Sequence, residues 1–346
     1  MTKSFSHKFD KSLSSSTLML LFVIVVSACS NISARNPGKT NDTQAGIPIG
    51  WTAGWSHDDK FVAAGFDNGE LIVYETTTWK VVKKWNYNPA IIARVEWNPK
   101  FPILAVAAIS HDEKNSIVQL YDIVKNETII THSKEFQGRG VTWSPDGELV
   151  AFVGREGRIG IFTRAGKDVK TLSFRNPGSL FDIDWHPAKN IILAVEENIF
   201  LIDIKNDSLI STIDDGSNNK GILCCQWHPS GNFFVTGDYG HESSGGEPSY
   251  VKYWDKNGTL IKMIREADFE YRNLRWSNDG KYLAASSNYL LILNDTGRLI
   301  RKTKFDSNNL WGVGWNSKAD KIISNDQVGN VRISDTTGKI LHELQK

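Results

Sequence analysis

An all-β ring of seven four-stranded antiparallel blades, a seven-bladed β-propeller, is the fold this sequence predicts. Three observations predict it. A tryptophan followed by a turn recurs seven times, at Trp55, Trp97, Trp143, Trp185, Trp227, Trp276 and Trp315. By subtraction the separations are 42, 46, 42, 42, 49 and 39 residues, and a four-stranded blade needs a period of about 40–45. Between residues 51 and 346 no apolar pattern keeps a helical period, so the region reads as β throughout.

The third copy, VTWSPDGELVAFVGREGRIGIFTRAGKDVKTLSF (residues 141–174), gives the elements in order. A short run ends in Trp143. Ser144-Pro145-Asp146-Gly147 follows as a tight turn, in which Pro pre-sets φ and Gly accepts a positive one. Leu149 to Val153 is a second apolar run, and Arg155-Glu156-Gly157 a second turn. Ile159 to Phe162 is the third run, and Val169 to Phe174 the fourth. Four short strands separated by turn signals give an antiparallel meander. The third run recurs as LIVYE, SIVQLYDI, IFLIDI, YVKYWD, LLILND and VRISD, and the fourth recurs beside it.

With "VTWSPDGELVAF" and "YVKYWDKNG" as its best segments, the chain resembles the WD-repeat β-propeller family over residues 47–346. It departs from the family pattern in lacking a Gly-His before each repeat and in keeping Trp-Asp only at Trp254-Asp255. It is also similar, less closely, to the periplasmic propeller of the Tol system. The resemblance implies that the first strand of each blade is innermost and that its tryptophan packs against the neighbouring blade. Because the last repeat carries its own fourth run, Lys339 to Leu344, blades one and seven are expected to close by side-chain packing, without a swapped strand.

The first 46 residues differ in kind. Lys3, Lys8 and Lys11 precede an apolar run from Leu18 to Val26, followed by Ser27-Ala28-Cys29. Nine apolar residues are too few to span a bilayer as a helix. A basic start, a short apolar centre and small residues make a signal peptide, and the cysteine makes it resemble a bacterial lipoprotein signal. The expected organisation is a lipoprotein signal peptide at 1–28, a lipidated Cys29 with a flexible tether to residue 46, and the propeller at 47–346. The expected location is the bacterial cell envelope, lipid-anchored (palmitate) in the outer membrane and facing the periplasm.

The whole chain has 40 basic and 39 acidic residues. After removal of the signal the balance is 37 to 38, and no basic cluster is interleaved with aromatics, so a nucleic-acid partner is not expected. Cys224 and Cys225 sit side by side on one strand, with side chains on opposite faces, and read as small buried thiols. Ser56-His57-Asp58-Asp59 has the letters of a hydrolase triad, but consecutive turn residues cannot converge. His186 and His228, each in Trp-His-Pro, occupy the same turn position and read as structural. His111 beside Asp112 and His241 beside Glu242 match no metal-loop spacing. No catalytic residue, metal site or cofactor is assigned.

Propellers present loops on two faces. Two loops on the face that carries the links between blades are enlarged, residues 109–116 and 238–249. The residues four before each tryptophan are expected to ring the channel mouth on that face: Trp51, Ala93, Arg139, Phe181, Leu223, Arg272 and Trp311. Trp51, Arg139, Phe181, Arg272 and Trp311, with Tyr271 nearby, are residue types enriched at interface hot spots, and form the candidate partner-binding set. The reading is a monomeric, non-catalytic protein-binding scaffold in the envelope, with a protein or peptide partner. One rival is a hydrolase- or lactonase-like propeller with a channel metal, held by acids or amides one and three residues before the tryptophans: Glu96, Asp182, Asp184, Gln226 and Asn273. A second is an outer-membrane protein assembly factor that binds by strand pairing.

Overall fold

Each repeat folds into one antiparallel sheet, and the reason is visible in its turns. In the computed structural model, which describes residues 46–110, 117–133, 138–174, 180–216, 221–239, 248–305 and 309–346, the residue after each tryptophan is a hydrogen-bond acceptor. Ser144 Oγ accepts from the Leu149 amide at 2.9 Å and donates to Asp146 at 2.6 Å. Ser56 and Ser277 repeat this with Asp58 and Asp279. Asn98 and Asn316 cap the same turn through Oδ1. His186 and His228 do it through Nδ1, which accepts from Ala188 and Ser230 amides at 3.0 and 3.1 Å. Serine, asparagine and neutral histidine share one property here, an acceptor close to the backbone.

The first blade comprises β1 (Gly50–Trp55), β2 (Phe61–Phe66), β3 (Glu70–Glu75) and β4 (Val81–Asn86). Its strands pair in chain order, as do those of the six other sheets. The first strand is buried and the fourth largely exposed. The innermost strands of the later blades are β5 (Ile91–Trp97), β9 (Val141–Trp143), β13 (Asp182–Trp185), β17 (Ile222–Trp227), β21 (Asn273–Trp276) and β25 (Leu310–Trp315). Each touches the next, and β25 touches β1. The protein is thus a seven-bladed β-propeller of four-stranded antiparallel blades. All of it lies within the unit Ile47–Lys346. Residues 1–45, with the signal-like segment, Cys29 and nearly all of the tether, lie outside the described residues.

The core is divided among the blade junctions. Seven hydrophobic clusters each combine residues of two successive blades. Trp143, for example, packs with Ile103 and Leu120 of blade two and Val150 and Phe162 of its own. The closing junction joins Trp55, Ala64 and Phe66 to Ile323, Ile333 and Leu344. Among the described residues no strand is exchanged there. Asn325 bridges instead, accepting from the Gly312 amide at 2.8 Å and donating to the Thr52 carbonyl at 2.9 Å. Gly312 is required at this crossing, since a Cβ would come within 2.5 Å of the Ala53 amide nitrogen.

All seven repeat tryptophans are buried, at 4–9% exposure. Three of them also donate backward across the junction. Trp97 Nε1 bonds the Gly54 carbonyl at 3.2 Å, Trp143 Nε1 the Glu96 carbonyl at 3.1 Å, and Trp315 Nε1 the Arg275 carbonyl at 3.0 Å. Cys224 and Cys225 are buried free thiols that serve different junctions, one in the cluster of blades five and six, the other in that of blades four and five.

Trp143→Ala removes both the packing and the indole bond. It is expected to cost about 3–5 kcal/mol, measured by urea unfolding. A midpoint indistinguishable from wild type would contradict the wedge role.

Candidate functional site

The innermost strands leave one edge facing the channel, where backbone amides have no neighbouring strand. Such groups must find partners or cost free energy. Five side chains one or three residues before a tryptophan supply such partners, each reaching the next blade. Thr142 Oγ1 accepts from the Trp185 amide at 3.1 Å, Asp184 Oδ2 from Trp227 at 2.7 Å, and Gln226 Oε1 from Trp276 at 2.6 Å. One step earlier, Thr52 Oγ1 accepts from Val95 at 3.2 Å and Asp182 Oδ2 from Cys225 at 3.2 Å. Asn273 reverses the polarity and donates to the Trp311 carbonyl at 2.7 Å.

Two ion pairs cross the channel, Arg94 with Asp182 and Arg275 with Glu96. Burial works against the charge of Arg94, but the Asp182 and Glu96 carboxylates outweigh it and raise its pKa. Burial raises Glu96, against the pull of Arg275 and Arg94. Asp184 has no cation bonded to it; burial pushes it up to about 7, although the Trp227 amide and Arg275 pull it back.

At the end where the innermost strands finish, the channel opens into a cavity of about 470 Å³. The seven tryptophans line it, with Glu96, Asp184, Gln226 and Arg275 among its polar groups. Every one of those four is engaged with another blade. His186 and His228, each preceding a proline that lines this cavity, are staples. With Nδ1 accepting, each presents Nε2–H to a turn glycine of the next blade, Gly231 at 3.2 Å and Gly280 at 2.9 Å. Burial lowers the His186 pKa, which keeps that neutral tautomer.

The opposite mouth is built differently. In blades one, two, five and seven the ladder skips one residue of the innermost strand, between Gly50 and Thr52, Ile92 and Arg94, Ile222 and Cys224, and Leu310 and Gly312. The skipped residues are Trp51, Ala93, Leu223 and Trp311. In the other three blades the equivalent residues, Arg139, Phe181 and Arg272, fall just before the strand begins. A bulge re-aims its side chain, and this is why the position four before the tryptophan departs from strand alternation.

Four of the predicted contact residues come together there. The Trp51 and Trp311 ring centroids are 4.7 Å apart. The Arg272 guanidinium lies 3.8 Å over the Trp311 ring and pairs with Glu270. The Arg139 guanidinium lies 5.6 Å from the Trp51 ring. All four are buried, at 3–5% exposure, so the ring is an inward-facing cluster with little outer surface. Phe181, the equivalent residue of blade four, is half-buried. Tyr271 is set apart. It is fully buried in the junction of blades five and six, where its hydroxyl accepts from the Glu266 and Ala267 amides, both at 3.1 Å. Residues 111–116 and 240–247 of the enlarged loops, with His111, Asp112, His241 and Glu242, lie outside the described residues.

Comparison with known proteins supports the repeat reading and overturns the envelope one. The family model described as WD domain, G-beta repeat, matches residues 208–255. That stretch contains Trp254, whose Nε1 donates to Thr236 Oγ1 at 3.0 Å. The chain is similar to a component of eukaryotic translation initiation factor 3 from Aedes aegypti, 24% identical over 67% of this chain and 30% of the relative. It is similar to WD repeat-containing protein slp1 of Schizosaccharomyces pombe, 21% identical over 51% and 35%. It is similar to probable cytosolic iron-sulfur protein assembly protein 1 of Eremothecium gossypii, 25% identical over 27% and 28%. The chain therefore spans about a third or less of these relatives' own length.

These relatives are eukaryotic proteins, and none carries the name of a lipoprotein or an envelope component. The expectations of a bacterial lipoprotein, palmitate at Cys29, a lipid anchor as the membrane contact, and an outer-membrane or periplasmic location are corrected accordingly. They rested on one short run of local pattern that nothing in the propeller requires. Among the described residues no helix is long and apolar enough to cross a membrane. The rival with a channel metal fails on chemistry. Its acids and amides are engaged in inter-blade bonds, and among the described residues no three His, Cys, Asp or Glu side chains group to hold a metal ion.

In blade five Lys252 is buried between two carboxylates. Its Nζ is 2.8 Å from Asp215 and 3.5 Å from Asp238. Burial pushes Asp238 up to about 6, against the Tyr250 amide and Lys252. Lys252→Met would take this cation from between two buried acids and is expected to cost about 3–5 kcal/mol in urea unfolding. For Asp184 the folded pKa exceeds the unfolded one, so the folded state binds more protons between them. Its contribution to stability therefore declines from about pH 4 and levels off above about pH 7. Asp184→Asn, which keeps an acceptor, should melt progressively higher relative to wild type as the pH rises from 5 to 8. A pH-independent difference would contradict this.

Proposed function

We propose that this chain is a non-catalytic protein-binding propeller whose partner docks at the channel mouth on the face that carries the links between blades. The match to a WD domain supports a scaffold of this kind. The contrast between the two mouths supports the choice of face. At the tryptophan-lined cavity the channel's carboxylates, amides and Arg275 are taken up by other blades. At the opposite mouth Arg139, Arg272, Trp51 and Trp311 are gathered in one cluster, and Phe181, at the equivalent position of blade four, is half-buried. Arginine and tryptophan in a desolvated pocket have the composition of a binding hot spot. The observation that carries the reading is this gathering of two arginines and two tryptophans, drawn from four different blades.

A photoreactive amino acid placed at Phe181 or, on the other face, at Pro187 tests it in the full chain. Discrete protein adducts in native cells are expected from position 181. Adducts only from position 187, or none from either, would overturn the proposal.

A further inference from the structure

The cluster at this mouth is rich in donors and poor in acceptors. Arg139 is 5% exposed, and its Nε and Nη1 have no hydrogen-bond partner. The indole nitrogens of Trp51 and Trp311, at 3% and 4% exposure, have none either. Indole and guanidinium groups can only donate, so these side chains cannot satisfy one another. Burying such groups without acceptors is costly, and an uncompensated buried charge costs several kcal/mol more.

Charge points the same way. The cations nearest in effect to Arg139 are Arg272 and Arg94, and each already has its own carboxylate, Glu270 and Asp182 respectively. The carboxylate among the strongest influences on Arg139 is Asp182, and it is held by Arg94 and by the Cys225 amide. Burial, then Arg272 and Arg94, pull the Arg139 pKa down to about 10, which leaves it charged at neutral pH. Three guanidinium groups thus share this half of the channel with two bonded carboxylates. Among the described residues the surplus is one positive charge, located on the residue that lacks acceptors.

We infer that this mouth is a buried oxyanion site, in which Arg139 and the indole N–H groups of Trp51 and Trp311 receive an acidic group of the partner, a carboxylate or a phosphate. An oxyanion is acceptor-only and negatively charged, the complement of this set. The inference rests on the proposed partner face and gives it a ligand chemistry.

The test uses the full chain with acetate and inorganic phosphate as probes, at constant ionic strength with chloride exchanged out, and acetamide as the neutral control. Melting temperature is the readout. A saturable rise with one of the two anions, and not with acetamide, is expected, and the anion that acts at lower concentration assigns carboxylate or phosphate. Arg139→Met keeps the bulk and removes the charge. It should melt at or above the wild type without anion, and require at least tenfold more anion for the same shift. A variant that melts well below wild type would assign Arg139 a structural role and overturn the inference. Equal shifts in both proteins, or none in wild type, would also overturn it. If the crosslink from position 181 persists while the anion shift is absent, the oxyanion inference falls and the partner face stands. If the shift is present and the crosslink is not, the partner face falls alone.

Discussion

The unpaired inner edge of each blade is the constraint on which the rest of this propeller depends. A four-stranded sheet pairs its strands internally and leaves two outer edges free. One of these meets water. The other is enclosed by six other blades and must be satisfied by protein. In this chain Thr52, Thr142, Asp182, Asp184 and Gln226, one or three residues before a tryptophan, reach the backbone of the next blade, and the indole N–H groups of Trp97, Trp143 and Trp315 reach back to the previous one. Together with the seven junction clusters, these bonds make every blade dependent on both neighbours. Stability of this kind is nearest-neighbour in character, and closure adds the last junction through Asn325.

The same constraint divides the channel into halves of different chemistry. Where the innermost strands run as regular ladders, alternation directs polar side chains to the channel, and the edge amides take them up. Where the ladder is broken by a bulge or has not yet begun, other side chains turn inward, and these include Trp51, Arg139, Arg272 and Trp311. One mouth is thus architectural and the other is chemically unfinished. A ring of seven similar blades can differ between its ends because backbone register, and not residue type alone, decides which side chain faces the axis.

The repeat reading and the envelope reading differed in how many independent observations had to agree. Seven tryptophan–turn units in register constrain one another, since each requires a neighbour of the same kind to bury its indole. The segment from Lys3 to Cys29 is a single local pattern with no second feature in the chain to test it. The first is upheld by the sheets and their closure. The second is overturned by relatives that are eukaryotic proteins under other names.

By itself the sequence determined the blade count, the strand order within blades, the burial of the repeat tryptophans and the structural role of His186 and His228. All of these follow from short-range periodicity and turn chemistry, which neighbouring residues impose on one another. Tertiary structure alone decided what Asp182, Asp184 and Gln226 are for, because their partners are amides some 43–50 residues away. It alone decided that six of the seven residues four before the tryptophans are buried, with Phe181 half-buried, since a skipped residue in the ladder leaves no mark in composition. It alone separated Tyr271 from the cluster it adjoins in sequence. The physical reason is the same in each case. Local patterns fix which strand a residue occupies, but only closure of the ring fixes what that residue must face.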